Sequence, residues 1–485
     1  MSQAVGRLEP LFSPRSVALV GASNDPGKWG FIVLLNLING RFPGKIYAVN
    51  PRQKEILGLQ VYHSVAELPE TPDLAVILVP LSSILQVIQD CLDKGIKAGV
   101  VITAGFAEVG DRGQQMERDM VRLARQGGMV LVGPNCNGIM STYSRFYCSM
   151  LPLYPRRGSL AIISQSGNVA GSVTGEAMSR GLGISRYISS GNEADLHIED
   201  FLEYLEQDEQ TKVILSYVEG LQDGRRFLEV ARRVTKKKPI LMLKAGDTPA
   251  GTRAARSHTA ALSGSDSIFS AACKQAAIIR VHSMDELVDA GGVFLSQPLP
   301  KGNRVGIITR GGGWGVLAAD VCARAGLEVA PLGEKTLSEL DKYLPPWWTR
   351  HNPVDLVAAL GANDNNILEV LLCSAEIDGV VILGLATGAS VFSNLSSIKS
   401  MDDFVLAAVE DFGQSLREVI KLRDHYQKPV VVAMNMPLGG EEAAAKLAAL
   451  TRETQTVCYT TPHQAAAAYA VLVRYAQYLR YGSDA

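Results

Sequence analysis

The sequence carries no excess of charge of either sign. Its 47 Lys and Arg residues stand against 49 Asp and Glu residues, which gives a formal net charge of −2. The longest basic run is Lys236-Lys237-Lys238. A surface that binds a polyanion needs clustered positive charge. We therefore do not expect nucleic acid as a partner.

Cysteine and histidine are present, but neither occurs in the closely spaced pairs that bind metal ions. Seven cysteines lie singly along the chain, with no Cys-x-x-Cys pattern, and none of the seven histidines has another histidine within five residues. Disulfide frameworks and protein-made zinc sites need such spacings. We expect neither a disulfide framework nor a metal site, and we expect a reducing compartment.

Long apolar runs are also missing. A stretch such as residues 75–81 is far shorter than the roughly 20 residues that a membrane-spanning helix needs. The first twelve residues, MSQAVGRLEPLF, lack the apolar core of a signal peptide. We expect no membrane association and a cytoplasmic protein.

The 485 residues that are present are 47% apolar and repeat one unit of β-branched run, glycine turn and amphipathic helical stretch. This order is typical of parallel α/β layers, and the length favours about three domains. The sequence predicts a Rossmann-like unit with strands near 16–20, 46–49, 74–79, 99–103 and 129–132. A second unit has strands near 159–163, 186–189, 212–218, 239–244 and 277–281. A Pro-rich linker at 297–303 leads to a third unit.

The second and third units resemble each other. GSLAIISQSG at 158–167 matches GNRVGIITRGG at 302–312, and Asn192-Glu193-Ala194-Asp195-Leu196 is echoed by Asn352-Pro353-Val354-Asp355-Leu356. These matches favour an internal duplication. The alternative is a resemblance in composition alone between two doubly wound units.

A glycine turn follows the first predicted strand, at Gly21 to Gly30. Backbone N–H groups at such a turn and at the next helix start can hold a phosphate. The turn is not G-x-G-x-x-G, and the second strand ends in Asn50-Pro51 instead of an acidic residue. NAD is therefore disfavoured, whereas another nucleotide-containing cofactor stays open. No Walker A pattern occurs.

The second unit opens with Ser164-Gln165-Ser166-Gly167 after an apolar strand, and Thr309-Arg310-Gly311-Gly312-Gly313 stands in the same place in the third unit. Hydroxyls and N–H groups at a helix N-terminus form an anion site. Helix capping alone is the alternative explanation.

Residues 251–264 form a run of small residues around His258, without hydrophobic periodicity. Such a run is typical of a loop, and its small neighbours would let a histidine reach into a narrow site. A structural histidine is the alternative at this point.

The motifs together resemble the ADP-forming (NDP-forming) acyl-CoA synthetases, relatives of the succinyl-CoA synthetase α subunit. The resemblance runs over about residues 11–297 and continues more weakly to about 473. It rests on Gly21-Ala22-Ser23 with Pro26, Lys28 and Gly30; Val49-Asn50-Pro51; Ile102-Thr103-Ala104-Gly105-Phe106-Ala107-Glu108; Gly133-Pro134-Asn135-Cys136; Ser164-Gln165-Ser166-Gly167; Gly191-Asn192 with Asp195; Glu219; and Ser257-His258-Thr259.

This resemblance implies an α/β chain of three domains. They are a Rossmann-like CoA-binding domain at 1–150, a succinyl-CoA-synthetase-like domain with a phosphohistidine loop at 151–298, and a second flavodoxin-like CoA-ligase domain at 299–485. Both later domains are doubly wound parallel sheets.

The resemblance also implies site residues. His258 would be phosphorylated transiently and Glu219 would orient it, as the two catalytic residues. The phosphate-binding residues would be Ser164, Ser166, Gly167, Gly311, Gly312 and Gly313, with the two helix starts opposed. The CoA-binding residues would be Gly21, Ala22, Ser23, Pro26, Lys28, Asn50, Pro51, Val79, Pro80, Thr103, Ala104, Gly105 and Asn135.

The implied activity is reversible: acyl-CoA, ADP and phosphate give a carboxylic acid, CoA and ATP. Fused relatives carry an ATP-grasp domain, and this chain does not, so the resemblance implies a separate ATP-grasp β subunit that holds ATP or ADP and Mg²⁺, in an α2β2-type oligomer. The alternatives are a non-catalytic regulatory protein that binds CoA or acyl-CoA and, more remotely, a dehydrogenase. The chain departs from the family pattern at Asn137, where relatives usually have Leu or Pro, and at Trp314.

Overall fold

The structure is a computed structural model that describes residues 3–248, 250–251, 265–356, 364–385, 400–434 and 440–482. The strands in these ranges form three sheets. The chain divides into two compact units, Met1–Met178 with Gly183–Leu287, and Ser179–Leu182 with Val288–Ala485. Each unit is described by itself below.

The first sheet has the strand order of a Rossmann fold. Its strands run in the order β3-β4-β2-β1-β5-β6-β7, and all neighbours are parallel except the β3–β4 pair. Without β3 this is the order 3-2-1-4-5-6, which confirms the prediction. The strands are β1 Ser16–Val20, β2 Lys45–Val49, β3 Glu55–Ile56, β4 Leu59–Tyr62, β5 Leu74–Ile77, β6 Ala98–Val101 and β7 Val130–Val132.

Helices cover this sheet because its strands are buried on both faces. Every residue of β1 is buried, and so is every residue of β5, as expected for a parallel sheet with helices on both sides. The helices are α1 Gln3–Phe12, α2 Trp29–Asn39, α3 Ile84–Asp93 and α4 Asp111–Gln126.

The second sheet combines a flavodoxin-like core with an antiparallel hairpin. Its order is β14-β13-β12-β10-β11-β8-β9. The five strands β10 to β14 are parallel in the order 2-1-3-4-5, and β8 and β9 add to β11 antiparallel. The sequence analysis did not predict β8 and β9. The strands are β8 Gly138–Ser141, β9 Phe146–Ser149, β10 Arg157–Ser164, β11 Ile184–Ser189, β12 Val213–Val218, β13 Ile240–Lys244 and β14 Ile279–Val281.

Helices of the second sheet alternate with its strands. Helix α5 follows β10 directly and so begins at the carboxyl edge of the sheet. The helices are α5 Gly167–Ser179, α6 Ile198–Gln207, α7 Gly224–Val234 and α8 Asp266–Gln275. Helix α9, Met284–Ser296, follows β14 and lies mostly in the second unit.

The third sheet, in the second unit, repeats the flavodoxin-like order. It runs β16-β15-β18-β19-β20, with β17 also on β15, and all its pairs are parallel. As predicted, no helix or strand lies between α9 and β15. The elements are β15 Arg304–Thr309, α10 Gly312–Arg324, β16 Glu328–Val329, α11 Glu334–Leu340, β17 Val354–Asp355, α12 Asp364–Cys373, β18 Gly379–Leu383, α13 Met401–Tyr426, β19 Val430–Ala433, α14 Gly440–Thr454, β20 Cys458–Tyr459 and α15 Pro462–Tyr481.

The turns after β10 and β15 contain the same pair of hydrogen bonds. The Ser164 hydroxyl donates to Ser166 O at 2.7 Å and accepts from Ser166 N at 3.2 Å. The Thr309 hydroxyl makes the same two bonds with Gly311, at 2.8 and 3.2 Å. These matched bonds support an internal duplication in preference to a shared composition.

The second predicted match, between residues 192–196 and 352–356, is not seen in the structure. The Ser190 N–H donates to Ser164 O, and the Leu356 N–H donates to Thr309 O. Leu356 therefore occupies the place of Ser190, not of Leu196. Residues 192–196 and 352–356 are therefore similar in sequence but do not occupy matching positions in their sheets.

Within the first unit, one segment fastens the first sheet to the second. Asn192 N donates to Pro134 O at 2.9 Å, and Ala194 N donates to Gly133 O at 3.1 Å. The Asp195 carboxylate, whose side chain is 2% exposed, accepts from Leu131 N at 2.8 Å and from Arg125 Nε at 2.7 Å. The loop after β11 is thereby bonded to the end of β7.

We predict that Asp195→Ala destabilises the protein, because it leaves the buried Leu131 N–H without its acceptor. Such a loss costs roughly 1–3 kcal/mol and should lower the melting temperature in calorimetry by a few degrees. Asp93→Ala is the control, since Asp93 is exposed and, among the described residues, accepts from Gln89 one turn away in α3. Equal melting temperatures for the two variants would show that the Asp195 contacts do not hold the sheets together.

No helix in the described ranges combines the length and apolar character that a membrane span requires.

Candidate functional site

The turn between β1 and α2 brings backbone atoms closer together than any side chain would allow. Gly21 has a φ of +100°, and a Cβ at this residue would lie 2.2 Å from Leu78 O. A Cβ on Gly30 would lie 2.1 Å from Gly21 O. Both glycines are therefore required for α2 to begin directly against the end of β1.

A cleft of about 940 Å³ opens above this turn. It lies at the carboxyl ends of the parallel strands, which is where ligands bind in doubly wound folds. Most of the predicted CoA-binding residues line it: Gly21, Ala22, Ser23, Lys28, Asn50, Pro51, Val79, Pro80, Thr103, Ala104 and Asn135. We call it the first cleft.

Two predicted CoA-binding residues do not line the first cleft. Pro26 lies in the turn before α2, and the Gly105 N–H donates to the Glu108 carboxylate at 2.6 Å. Gly105 shapes the loop after β6, and its φ of +106° suits that turn. The assignment of ligand contacts to these residues stays a prediction.

Several polar side chains of the first cleft bond to its own loops. Asn50 Nδ2 donates to Ala22 O at 2.7 Å, and Asn50 Oδ1 accepts from Arg52 N at 2.8 Å. Thr103 donates to Val79 O at 2.8 Å. Asn50 therefore ties the end of β2 to the glycine turn. An Asp or Glu here, of the kind that binds the ribose of NAD, could not donate this bond when ionised.

The cationic side chains of the first cleft reach into solvent. Lys28 is 68% exposed, and Arg52 is exposed as well. Both line the cleft, and cations at the mouth suit the phosphates of a nucleotide-containing ligand. The sequence analysis missed Arg52, although it directly follows Asn50-Pro51.

A second cleft of about 630 Å³ lies at the carboxyl edge of the second sheet. Ser166, Gly167 and Glu219 line it together. Ser164 does not: its hydroxyl is used within the turn, and the residue is 1% exposed. Ser166 and Gly167 stand at the start of α5, where helix N–H groups favour an anion.

Gln165 holds Glu219 in the second cleft. Its Oε1 accepts from Glu219 N at 2.6 Å and from Gly220 N at 3.2 Å, and its Nε2 donates to Gly220 O at 2.9 Å. The loop after β12 is thereby bonded to the loop after β10. Gln165 belongs to the Ser164-Gln165-Ser166-Gly167 motif, but the sequence does not predict its role, because nothing in the sequence shows which backbone groups a side-chain amide will bond.

His258 lies outside the described residues, so its predicted role rests on the sequence. The strand that precedes it in the chain is described: β13 ends at Lys244, which is in register with Val218 of β12. Ala245 N donates to Val218 O at 2.9 Å. The chain thus leaves the sheet beside the strand that carries Glu219.

Carboxyl groups surround the second cleft, and amides bridge them. Asn192 Nδ2 donates to Glu108 at 2.7 Å and to Glu117 at 2.8 Å. Burial acts to raise the pKa of Glu108, but bonds from Asn192 and from backbone N–H groups lower it below its usual value. Burial raises the pKa of Glu117. One amide therefore holds two carboxyl groups with opposite pKa shifts.

Glu193 is the most buried carboxyl group of the second cleft, at 3% exposure. It accepts from the Ser190 hydroxyl at 2.6 Å and from Ile198 N at 3.3 Å. Burial raises the pKa of Glu193 to about 7. A substantial part of this group is therefore neutral near pH 7, which reduces the negative charge facing the cleft.

The glycines predicted to bind phosphate in the third sheet, Gly311, Gly312 and Gly313, lie at the start of α10 in the second unit. All three are exposed. The expectation that this helix start faces the start of α5 stays a prediction.

The first unit combines a Rossmann-order sheet that carries a glycine cleft with a flavodoxin-order sheet that carries a helix start of the anion-binding type. This architecture is typical of proteins that bind nucleotide-containing ligands. Comparison with known proteins gives the family. Residues 15–142 match the CoA binding domain, and residues 157–294 match the succinyl-CoA ligase like flavodoxin domain.

Two curated relatives come from Pyrococcus furiosus. The chain is 43% identical over 377 residues to the α subunit of ADP-forming acetate–CoA ligase II, covering 78% of this chain and 82% of the relative. It is 37% identical over 476 residues to the α subunit of isoenzyme I, covering 97% and 98%. A solved acetyl-coenzyme A synthetase 1 of Ca. Korarchaeum cryptofilum, in complex with phosphate and ADP, has a TM-score of 0.86 at 34% identity and 98% coverage of both chains.

The chain belongs to the ADP-forming acyl-CoA synthetase family, as a member of the α-subunit type. The ligase interpretation of the sequence is thereby confirmed, and the alternative of a non-catalytic CoA-binding regulator is not supported.

We predict that Gly30→Ala weakens CoA binding, because a Cβ 2.1 Å from Gly21 O must displace the backbone that borders the first cleft. Overpacking of this kind costs about 1–3 kcal/mol of folding stability, and the displaced turn should raise the Kd for CoA roughly tenfold. Calorimetric titration of the full chain measures the Kd, and NAD should bind negligibly to the unaltered protein. Gly224→Ala is the matched control, since a Cβ there meets nothing within 4 Å. An unchanged Kd for CoA in Gly30→Ala, or tight NAD binding, would contradict the assignment of the first cleft.

Proposed function

We propose that this protein, together with a partner subunit, interconverts acyl-CoA, ADP and phosphate with a carboxylic acid, CoA and ATP, through a phosphohistidine at His258. The observation that carries the proposal is that Ser166, Gly167 and Glu219 line one cleft, and that this cleft and the glycine cleft share Asn135 and Asn137 in their linings. We propose a small carboxylic acid as the substrate, and acetate is the first to assay, because the two Pyrococcus furiosus relatives are named acetate–CoA ligases.

The first cleft is proposed to bind CoA. Gly21 and Gly30 bring the backbone at the start of α2 close to the cleft, and Lys28 and Arg52 supply positive charge for phosphates. The thiol end of CoA would extend towards Asn135 and Asn137. The other predicted CoA-binding residues that line this cleft are proposed to contact the same ligand.

The chemistry has three balanced steps. An oxygen of phosphate attacks the thioester carbon, the C–S bond breaks, and CoA leaves with a proton, which gives an acyl phosphate. A nitrogen of His258 then attacks phosphorus, and the carboxylate leaves. Finally an oxygen of ADP attacks the phosphorus, the N–P bond breaks, and ATP forms.

Glu219 is proposed to orient the imidazole of His258. A carboxylate that accepts from one ring nitrogen fixes the tautomer, and it stabilises the cation that forms when the other nitrogen attacks. The Gly167 N–H and the Ser166 hydroxyl would hold the phosphoryl group beside it. Gln165 keeps the Glu219 backbone in place for this role.

The partner is proposed to be an ATP-grasp β subunit that binds the nucleotide and Mg²⁺, in an α2β2-type assembly. The relatives are named as α subunits, which supports a partner for this chain. A histidine that serves sites on both subunits has to move between them, and a loop of small residues suits that movement. The unpaired cysteines support a reducing cytoplasm as the location.

We predict that the complex with the partner becomes labelled on His258 when it is given Mg²⁺ and ATP labelled in the γ-phosphate. The label should be stable to base and labile to acid, and acetate with CoA should discharge it. His258→Ala should lose both labelling and synthesis but keep its Kd for CoA. Label on another histidine in this variant, or turnover without a phosphoenzyme, would rule out the mechanism.

We predict that Glu219→Gln keeps its CoA affinity and slows both His258 labelling and overall turnover, by roughly two to three orders of magnitude. The amide can still hold the ring, but it cannot stabilise imidazolium by charge. Glu229→Gln is the control, because Glu229 is 66% exposed on α7 and pairs only with Arg225 among the described ion pairs. Unchanged labelling in Glu219→Gln would leave Glu219 as a structural residue.

A further inference from the structure

The side chain of Asn192 joins the two sheets of the first unit at the second cleft. Asn192 follows β11, and its Nδ2 donates to Glu108, which follows β6, at 2.7 Å and to Glu117, on α4, at 2.8 Å. Its Oδ1 accepts from Asn135 Nδ2 at 3.2 Å. All four residues line the second cleft. The Asn192 amide is therefore fully bonded, with an acceptor for each of its two hydrogens.

The backbone around Asn192 is fixed as well. Its N–H donates to Pro134 O at 2.9 Å. The residues on either side have positive φ values, +61° for Gly191 and +53° for Glu193. A positive φ is uncommon for a residue other than glycine, and it persists where the surrounding structure enforces it. The Asn192 amide is thus presented at a defined place in the wall of the cleft.

The two carboxyl groups are bonded to backbone N–H groups on one side and to Asn192 on the other. Glu108 Oε1 accepts from Gly105 N at 2.6 Å, and Glu117 Oε2 accepts from Ala107 N at 3.4 Å. Both side chains are half-buried. Carboxylates that share one amide lie close together, and like charges at short range repel each other and any anion beside them. The Asn192 amide is the donor that lies between them.

The next step rests on the proposed function, in which phosphate and the phosphoryl group occupy the second cleft. We propose that Asn192 is a positioning residue for phosphate binding: its amide holds the Glu108 and Glu117 carboxylates to itself and so keeps them from repelling an anion at the start of α5. Arg118 lines the same cleft, but it is exposed, and water and salt screen an exposed charge. The fixed donor therefore matters more than this cation.

The test exchanges donor and acceptor across the contact. The complex with the partner is assayed at pH 8 for ATP formation from acetyl-CoA, ADP and phosphate, and kcat and the KM for phosphate are measured. Asn192→Asp replaces the donor by a third carboxylate, and combining it with Glu117→Gln puts an amide back on the other side. Asn192→Ala removes the donor without adding charge. Asn39→Asp is the control, since Asn39 is exposed and lines neither cleft.

We expect Asn192→Asp to raise the KM for phosphate roughly tenfold, because it adds a negative charge beside the anion. The kcat and the KM for ADP should stay close to those of the unaltered complex. Asn192→Ala should raise the KM for phosphate by a smaller factor. The double variant should recover most of the loss, because it restores both the net charge and an amide donor.

An unchanged KM for phosphate in Asn192→Asp would overturn the proposal, and so would a double variant that is no better than Asn192→Asp. A lower kcat or melting temperature without a change in this KM would also overturn it, because that pattern indicates a structural role. If Asn192→Asp does not fold, an unchanged KM for phosphate in Asn192→Ala is the overturning result. Absence of phosphate-dependent ATP formation by the unaltered complex would instead remove the proposed function, and this inference with it.

Discussion

The pairing of the Gly191–Leu196 segment with the end of β7 is the constraint on which both clefts depend. A Cβ on Gly191 would lie 2.3 Å from Pro134 O and 2.6 Å from Asn135 O, so the two backbones touch directly. Asp195 closes the contact by accepting from Leu131 N and from Arg125. Because Asn135 and Asn137 follow this contact immediately, their positions relative to both sheets are set by it.

The two duplicated turns share one pair of hydrogen bonds, and the second sheet has a further bond from Gln165. Ser164 and Thr309 make the same pair of bonds at the end of the first strand of their sheets. Both prepare a helix start whose N–H groups are available. The second sheet adds Gln165, which ties that start to Glu219. In the second sheet the capped turn is therefore bonded to a neighbouring strand end beside the second cleft.

Sequence patterns predict the parallel core well, because strands such as β1 and β12 are mostly buried runs rich in β-branched residues, which end at Gly21 and at Glu219-Gly220. They do not predict the β8–β9 hairpin, whose four-residue strands are buried at every position and show no alternation. The site divides in the same way. Gly21, Ser166 and Glu219 are predicted from motifs, whereas the bonds of Gln165 and Asn192 depend on loops that only folding brings together. His258, outside the described residues, rests on its motif alone.

The electrostatics of the second cleft explain how a site edged by carboxylates can suit an anion. Glu108, Glu117, Glu193 and Glu219 all line it, and four full charges would repel a phosphate. Burial raises the pKa of Glu117, and it raises the pKa of Glu193 to about 7. Glu108 stays charged and accepts a hydrogen bond from Asn192, and Arg118 adds a positive charge to the same lining. Glu219 lines the cleft together with the start of α5. A negative charge there repels a phosphate, and it becomes stabilising only when a cation forms beside it. An imidazole that becomes positive as it takes up a phosphoryl group satisfies that condition.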